Sequence, residues 1–213
     1  MSRAYCYKCS RSEKTCLCNL IPIINNGINV YVLQHPDEIK NAKGTSIIAS
    51  LYLQHYQSWV GEDFSQHKAL LELVENQFGN TYVVYPNDNG VSLSQWRKAT
   101  DGQKNKPGGE GGNLIFIDAS WRKAKKIWHS AAVLHHLKCI TITQQQESSY
   151  RIRKIPKSGY ISTIEAIAAC LVYADKSAEK YRPLLQVFDK MINRQIECMG
   201  EQTYNKNYLG DSD

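Results

Sequence analysis

Leu114-Ile115-Phe116-Ile117-Asp118-Ala119-Ser120-Trp121 decides the fold. Four consecutive apolar residues end on an acid, and a segment of helical periodicity begins within three residues. A strand that is apolar at every position, rather than alternating, is covered on both faces, as in a parallel sheet flanked by helices. Three further runs have the same character: Ile28 to Gln34, Thr81 to Tyr85, and Cys139 to Thr143. The intervals between them are long enough for crossover helices, so the chain is expected to fold as an α/β domain with a mainly parallel sheet.

After Asp118, the residues Trp121, Ala124, Trp128, Ala131 and Leu134 recur at helical spacing through Ser120 to Leu137, with Arg122, Lys123, Lys125 and Lys126 on the other side. Helices are also expected over Thr45 to Trp59 and Gln66 to Gln77. Ser162-Thr163-Ile164-Glu165 has the form of a capping box opening a helix to about Ala174. A last amphipathic helix runs from about Pro183 to Cys198, presenting Leu184, Val187, Phe188, Met191 and Ile192 to the core. Asn87 to Asn113 reads as a long Gly- and Lys-rich loop. Its glycines precede a strand instead of joining a strand to a helix, which excludes a phosphate-binding Gly-rich fingerprint.

The N-terminus carries Cys6-Tyr7-Lys8-Cys9 and, after six residues, Cys16-Leu17-Cys18. A C-x2-C pair grips a tetrahedral ion from a tight turn, and C-x-C supplies the opposite ligands, a pattern that suits structural Zn²⁺; disulfide pairing is the alternative. Arg3, Lys8, Arg11 and Lys14 lie where cations offset the charge of four thiolates. Cys139, Cys170 and Cys198 are scattered singly and read as reduced core thiols. Three segments are expected: a zinc module at 1–24, a main domain at 25–200, and a flexible tail at 201–213.

With 213 residues, 42% of them hydrophobic, the chain supports one substantial core. No apolar run approaches the roughly 20 residues of a membrane span, and Met1 to Cys6 lacks a signal-peptide core, so a soluble, cytoplasmic protein without a membrane partner is expected. The net charge is +6, unevenly placed. Between Arg97 and Lys157 stand thirteen Lys or Arg against the acids Asp101, Glu110, Asp118 and Glu147. A segregated basic surface attracts a polyanion, and nucleic acid fits better than a membrane.

Parallel α/β sheets bind ligands beyond the carboxyl ends of their strands. Each proposed strand delivers unusual residues there: Gln34-His35-Pro36-Asp37-Glu38, Tyr85-Pro86, Asp118 to Trp121, and Gln144 to Tyr150. The ordered set of zinc cysteines, Leu33-Gln34-His35-Pro36-x-Glu38, Tyr85-Pro86, Asp118-x-Ser120-Trp121, Ser149-Tyr150-Arg151 and Ser162-Thr163-x-Glu165-Ala166 resembles the DTW-domain tRNA-uridine aminocarboxypropyltransferases across residues 3–175. One departure is visible. The family's Asp-x-Thr-Trp is Asp-Ala-Ser-Trp here, with Ala119 where Gly is usual, and Ser120 keeps the hydroxyl.

The resemblance implies a SPOUT-like, knotted α/β domain that binds S-adenosylmethionine and transfers its 3-amino-3-carboxypropyl group to N3 of a uridine in tRNA. An RNA methyltransferase of the same broad fold and a noncatalytic zinc-containing RNA-binding protein are the competing readings. Asp118, ending a buried strand, is the candidate base for N3–H, or else the N-cap of the next helix. Ser120 is expected to hold Asp118 or a substrate oxygen, and Trp121 to stack on a base or to anchor its helix. Tyr85, Pro86, Ser148, Ser149 and Tyr150 are the candidate cofactor residues. His35 and Glu38 are candidate substrate contacts, with a structural role for His35 as the alternative. Lys123, Lys126, Arg151 and Arg153 are candidate phosphate contacts.

Overall fold

The computed structural model describes residues 4–100, 112–142, 148–152 and 161–209. In chain order the elements are β1 (Asn29–Gln34), α1 (Ser46–Tyr52), β2 (Tyr56–Val60), α2 (Lys68–Gln77), β3 (Thr81–Val84), β4 (Val91–Ser92), α3 (Leu93–Thr100), β5 (Asn113–Asp118), α4 (Trp121–Ser130), β6 (Lys138–Thr141), α5 (Thr163–Asp175), α6 (Ala178–Met199) and α7 (Glu201–Tyr204). Among the described residues the strands form one six-stranded sheet in the order β2-β1-β5-β3-β6-β4, and every pairing is parallel.

The four continuous apolar runs are β1, β3, β5 and β6, and the burial of the three central strands explains their composition. Val30, Val32, Leu114, Phe116, Tyr82 and Val84 face one layer, with Ile48 of α1, Ile164 of α5 and Phe188 of α6. Leu33, Ile115 and Val83 face the other, with Leu70 of α2 and Ile127 of α4. Both sheet faces are therefore closed, the environment that a non-alternating strand requires. Ile115 is fully buried, and truncating such a side chain to Ala costs about 2–5 kcal/mol.

Two strands, one helix and several helix boundaries differ from the sequence reading; among them, the helix expected over Ser120 to Leu137 ends at Ser130, and a 3-10 turn covers Ala132–His136. The helix expected over Thr45 to Trp59 ends at Tyr52, and Tyr56–Val60 instead forms the edge strand β2. Gln57, Ser58 and Val60 are exposed there, so the two shielded residues, Tyr56 and Trp59, sit three apart and imitate a helical stripe. The loop expected over Asn87 to Asn113 contains β4 and α3, whose Trp96 is buried against Tyr82; the glycines at 102–111 lie outside the described residues. Gly90 is required where β4 meets β6, because a Cβ would fall 2.1 Å from the Thr141 hydroxyl. The last long helix begins at Ala178, so Pro183 lies inside it.

Glu201 to Asp213, read as a flexible tail, is helical at α7 and again at Asn205–Leu209, and Lys43 Nζ donates to the Tyr208 hydroxyl. Residues 210–213 lie outside the described part. Among the described residues no helix is long and apolar enough to cross a membrane. Cys139 is half-buried and Cys170 fully buried, as core thiols would be, whereas Cys198 is exposed.

Candidate functional site

The register of β1 and β5 builds the site. Gln34 and Asp118 are paired across the two strands and end them together. Both follow the alternation that sends Val32 and Phe116 toward the α1/α5 layer, so their side chains meet: Gln34 Nε2 donates to Asp118 Oδ2 at 2.9 Å. The first residues of two helices complete the cluster. Ser46 Oγ of α1 donates to the same Oδ2 at 2.6 Å, and Thr163 Oγ1 of α5 donates to Oδ1 at 2.7 Å. Asp118 is 3% exposed. Helix N-termini favour negative charge, which places this carboxylate in a field suited to it.

Tyr56 of β2 belongs to the same cluster. Burial, and after it the negative charge of Asp118, pushes its phenol far above the ordinary tyrosine value. Asp118 is not an N-cap; that position before α4 is Ser120. The Ser120 hydroxyl makes no capping bond, and the grip on Asp118 comes from Gln34, Ser46 and Thr163 rather than from Ser120.

A second carboxylate organises the same end of α5. The capping box forms as the sequence spacing predicts, with Ser162 Oγ accepting from Glu165 N–H and Glu165 Oε2 accepting from Ser162 N–H at 2.7 Å. Glu165 also accepts from Ser148 Oγ at 2.6 Å and from Ser149 N–H at 2.9 Å. The segment that follows β6 is thereby tied to the helix whose first residue, Thr163, touches Asp118.

The other expected residues divide. Ser148 and Ser149 stand at this end of α5, with Ser149 exposed. Tyr150 is buried, its ring 5.4 Å from that of Phe188 and its hydroxyl donating to the Lys43 carbonyl, so it serves packing. Tyr85 points to the opposite face of the sheet and stacks on Trp128, with centroids 4.6 Å apart and planes 8° apart; Pro86 is exposed. His35 is buried and caps a short 3-10 turn by accepting from Asp37 N–H at 3.1 Å, the structural alternative for this residue. Glu38 is buried and accepts from Asn41 Nδ2 at 2.7 Å. Trp121 is half-buried at the start of α4.

Among the basic candidates, Lys123 pairs with Asp37, and Lys126 lies 3.4 Å from Glu62. The Lys123 hydrogen bond, then its charge, holds the Asp37 carboxyl below the usual range. Arg122 and Lys125 are exposed on the same helix. Arg151 reaches Asn193 of α6 at 2.7 Å. Arg153, Gln144 and Lys154 lie outside the described residues.

At the N-terminus, a turn closed by Cys6 N–H to the Arg11 carbonyl at 2.7 Å, with Ser10 in the left-handed region at φ 54°, brings the cysteines together. Cys6 and Cys18 sulfurs are 3.7 Å apart, as are those of Cys9 and Cys16, and all four lie within 4.8 Å of one another. A tetrahedral ion with metal–sulfur bonds of about 2.3 Å requires edges of about 3.8 Å, so the donor set fits such a metal. In the structure all four are free cysteines, at separations that suit a shared metal better than an S–S bond of about 2.05 Å. Backbone N–H groups of Cys9 and Lys8 hold the Cys6 thiol down at about 6, whereas burial pushes Cys18 up.

Comparison with known sequences places these features in a family context. The description "DTW domain" matches residues 3–196. A Drosophila melanogaster protein named tRNA-uridine aminocarboxypropyltransferase 2 is 26% identical over 97% of this chain and 81% of its own length. The Macaca fascicularis protein of the same name is 25% identical over 97% of this chain and 68% of its own. The Arabidopsis thaliana tRNA-uridine aminocarboxypropyltransferase A is 23% identical over 92% of this chain and 83% of its own. No solved structure matches.

Proposed function

The chain belongs to the DTW-domain family, and from that premise we propose that it transfers the 3-amino-3-carboxypropyl group of S-adenosylmethionine to N3 of a uridine in tRNA. The observation that carries this reading is the match to transferases of that name along almost the whole chain. The fold supports it. Asp118, Gln34, Ser46 and Thr163 converge at the carboxyl ends of β1 and β5, where a parallel sheet binds ligands. A SPOUT-like knotted arrangement is part of the proposal: β5 and β6 each insert between strands laid down earlier.

The residues present suit a group bearing an amino acid and a positive charge. Asp118 offers a fixed carboxylate, and Ser148 and Ser149 sit beside the first turn of α5. When bound, S-adenosylmethionine supplies an electrophilic γ-carbon next to its sulfonium. Asp118 acts through Oδ1, which among the described residues has one donor, Thr163, while Gln34 and Ser46 fix Oδ2. Oδ1 would receive the imide proton of N3, while the new N3–carbon bond would replace the carbon–sulfur bond and methylthioadenosine would leave with the sulfur. Arg122 and Lys125 of α4 contact phosphates, and the four N-terminal cysteines hold structural zinc.

The test is incubation of the protein with tRNA and S-adenosylmethionine, followed by mass spectrometry of the digested nucleosides and of the cofactor product. Methylthioadenosine with an aminocarboxypropyl-uridine is the expected pair. S-adenosylhomocysteine with methylated RNA would identify attack at the methyl carbon and a methyltransferase; binding with neither product would leave an RNA-binding module.

A further inference from the structure

Arg11 is a buried cation, 5% exposed, and among the described residues no carboxylate pairs with it. Its guanidinium donates to two backbone carbonyls of one turn: Nη1 to Ala42 and Nη2 to Gly44 at 2.9 Å, with Met191 Sδ 3.3 Å from Nη2. With a divalent ion bound, four thiolates carry a net negative charge, and Cys9, one of them, stands two residues from Arg11 in the chain.

The turn that Arg11 holds is a junction. Besides Arg11, Gln195 of α6 donates to the Ala42 carbonyl at 2.9 Å, and Tyr150, next to the Ser148-Ser149 pair, donates to the Lys43 carbonyl. Thr45 and Ser46 follow directly. Thr45 Oγ1 accepts from Ile164 N–H of α5 at 3.4 Å, and Ser46 donates to Asp118. Three consecutive carbonyls, at 42, 43 and 44, are thus gripped by side chains from the metal module, the segment after β6 and α6, immediately before the two residues that reach the Asp118 cluster. A carbonyl held by a charged donor contributes more than a neutral pair does, which makes Arg11 the strongest of these holds.

We propose that Arg11 is a positioning residue which couples the N-terminal metal module to the Asp118 site: it fixes the turn at Ala42 to Gly44 so that Thr45 and Ser46 meet α5 and Asp118. The metal module is then a structural member of the site rather than an appendage. The consequence for turnover rests on the transferase reading; the structural link does not.

Three forms of the full-length protein test it: wild type, Arg11→Met, which keeps the apolar stem, and Arg11→Lys, which keeps the charge but not the two-armed fork. Metal content, amide hydrogen exchange and equilibrium binding of S-adenosylmethionine are measured on each. Arg11→Met should retain one zinc per chain, exchange faster at Ser46 and Ile164 by on the order of tenfold to a hundredfold, and bind the cofactor about tenfold more weakly with tRNA affinity unchanged. Arg11→Lys should recover part of both losses. Exchange at those amides and cofactor affinity both within about twofold of wild type in zinc-loaded Arg11→Met would overturn the proposal. If Arg11→Met does not fold, wild type stripped of metal by a chelator serves instead. Faster exchange at Ser46 and Ile164, with the β5 amides still protected, supports the coupling, and unchanged exchange overturns it. No cofactor binding by wild type, with the exchange pattern as expected, would sink the transferase reading alone.

Discussion

Replacing Asp118 separates the hydrogen-bonded hub that the structure shows from the base role proposed for the same carboxylate. Three donors converge on it, Gln34 and Ser46 at Oδ2 and Thr163 at Oδ1. Hydrogen bonds to a charged group contribute about 1.5–3 kcal/mol each, against about 0.5–1.5 for neutral pairs. In Asp118→Asn the side-chain NH2 is best turned toward Thr163, whose hydroxyl can rotate to accept, while the amide oxygen keeps Gln34 and Ser46. The shape survives and each bond weakens, for a loss of about 2–3 kcal/mol. Asp118→Ala instead strands three donors in a buried place; after the two hydroxyls find other partners, the loss is about 3–5 kcal/mol. Urea denaturation at neutral pH measures both, and a Ser46→Ala cycle should return a coupling of about 1–2 kcal/mol with Asp118→Ala.

Catalysis adds a loss that stability does not predict. A folded Asp118→Asn enzyme that still binds S-adenosylmethionine should release methylthioadenosine about 10²- to 10⁴-fold more slowly in a single turnover, the range for removing a general base. Turnover near the wild-type rate would refute the base and leave Asp118 as a structural hub. An Asp118→Ala protein less than about 1 kcal/mol weaker than wild type would refute the hub as well.

Four other outcomes follow from the geometry. Replacing Cys6 and Cys9 together by Ser should abolish stoichiometric zinc and unfold the segment they close; retention of one zinc per chain would remove the assignment. Glu165→Gln confronts the Ser149 N–H with a second donor, so it should cost about 1–3 kcal/mol by thermal or urea melts and weaken cofactor binding; an unaffected cofactor affinity would separate the segment after β6 from the site. Removing Arg122 and Lys125 should lower the salt dependence of tRNA binding by about one to two phosphate contacts, more than removing the paired Lys123 and Lys126, and the reverse order would move the RNA surface. Gly90→Ala should destabilise by about 1–3 kcal/mol, because the new methyl meets Thr141; an unchanged melting curve would show that Thr141 yields freely.

The fold was legible where both faces of a strand are buried. Val30, Val32, Leu33, Tyr82 to Val84 and Leu114 to Phe116 are all buried, and the half-buried Tyr31 is covered by Trp59, so these runs carry no charged residue. β2 was not legible, because this edge strand shields one residue on each of its faces, Tyr56 toward one layer and Trp59 toward the other, and that pair alone has the spacing of a helix turn. β4 has two residues and no pattern to read. In the site, Asp118 announces itself by ending an apolar run. Its partners do not: Gln34 meets it through a register set 84 residues away, and Ser46 and Thr163 resemble ordinary residues at helix starts.

Charge shows the same limit from the other side. A count along the chain finds the cations between Arg97 and Lys157 and few acids near them in sequence. The parallel sheet then carries β1 beside β5 and β2 beside β1, so that Asp37 and Glu62, both outside that window, come to lie against α4. They take up Lys123 and Lys126, two of the four basic residues on that helix. What remains for a polyanion on α4 is Arg122 and Lys125, a narrower surface than the count suggests. The acids that narrow it are brought there by the same strand order that places Gln34 on Asp118, so the edge of the proposed RNA surface and the core of the Asp118 cluster are fixed by one topological choice.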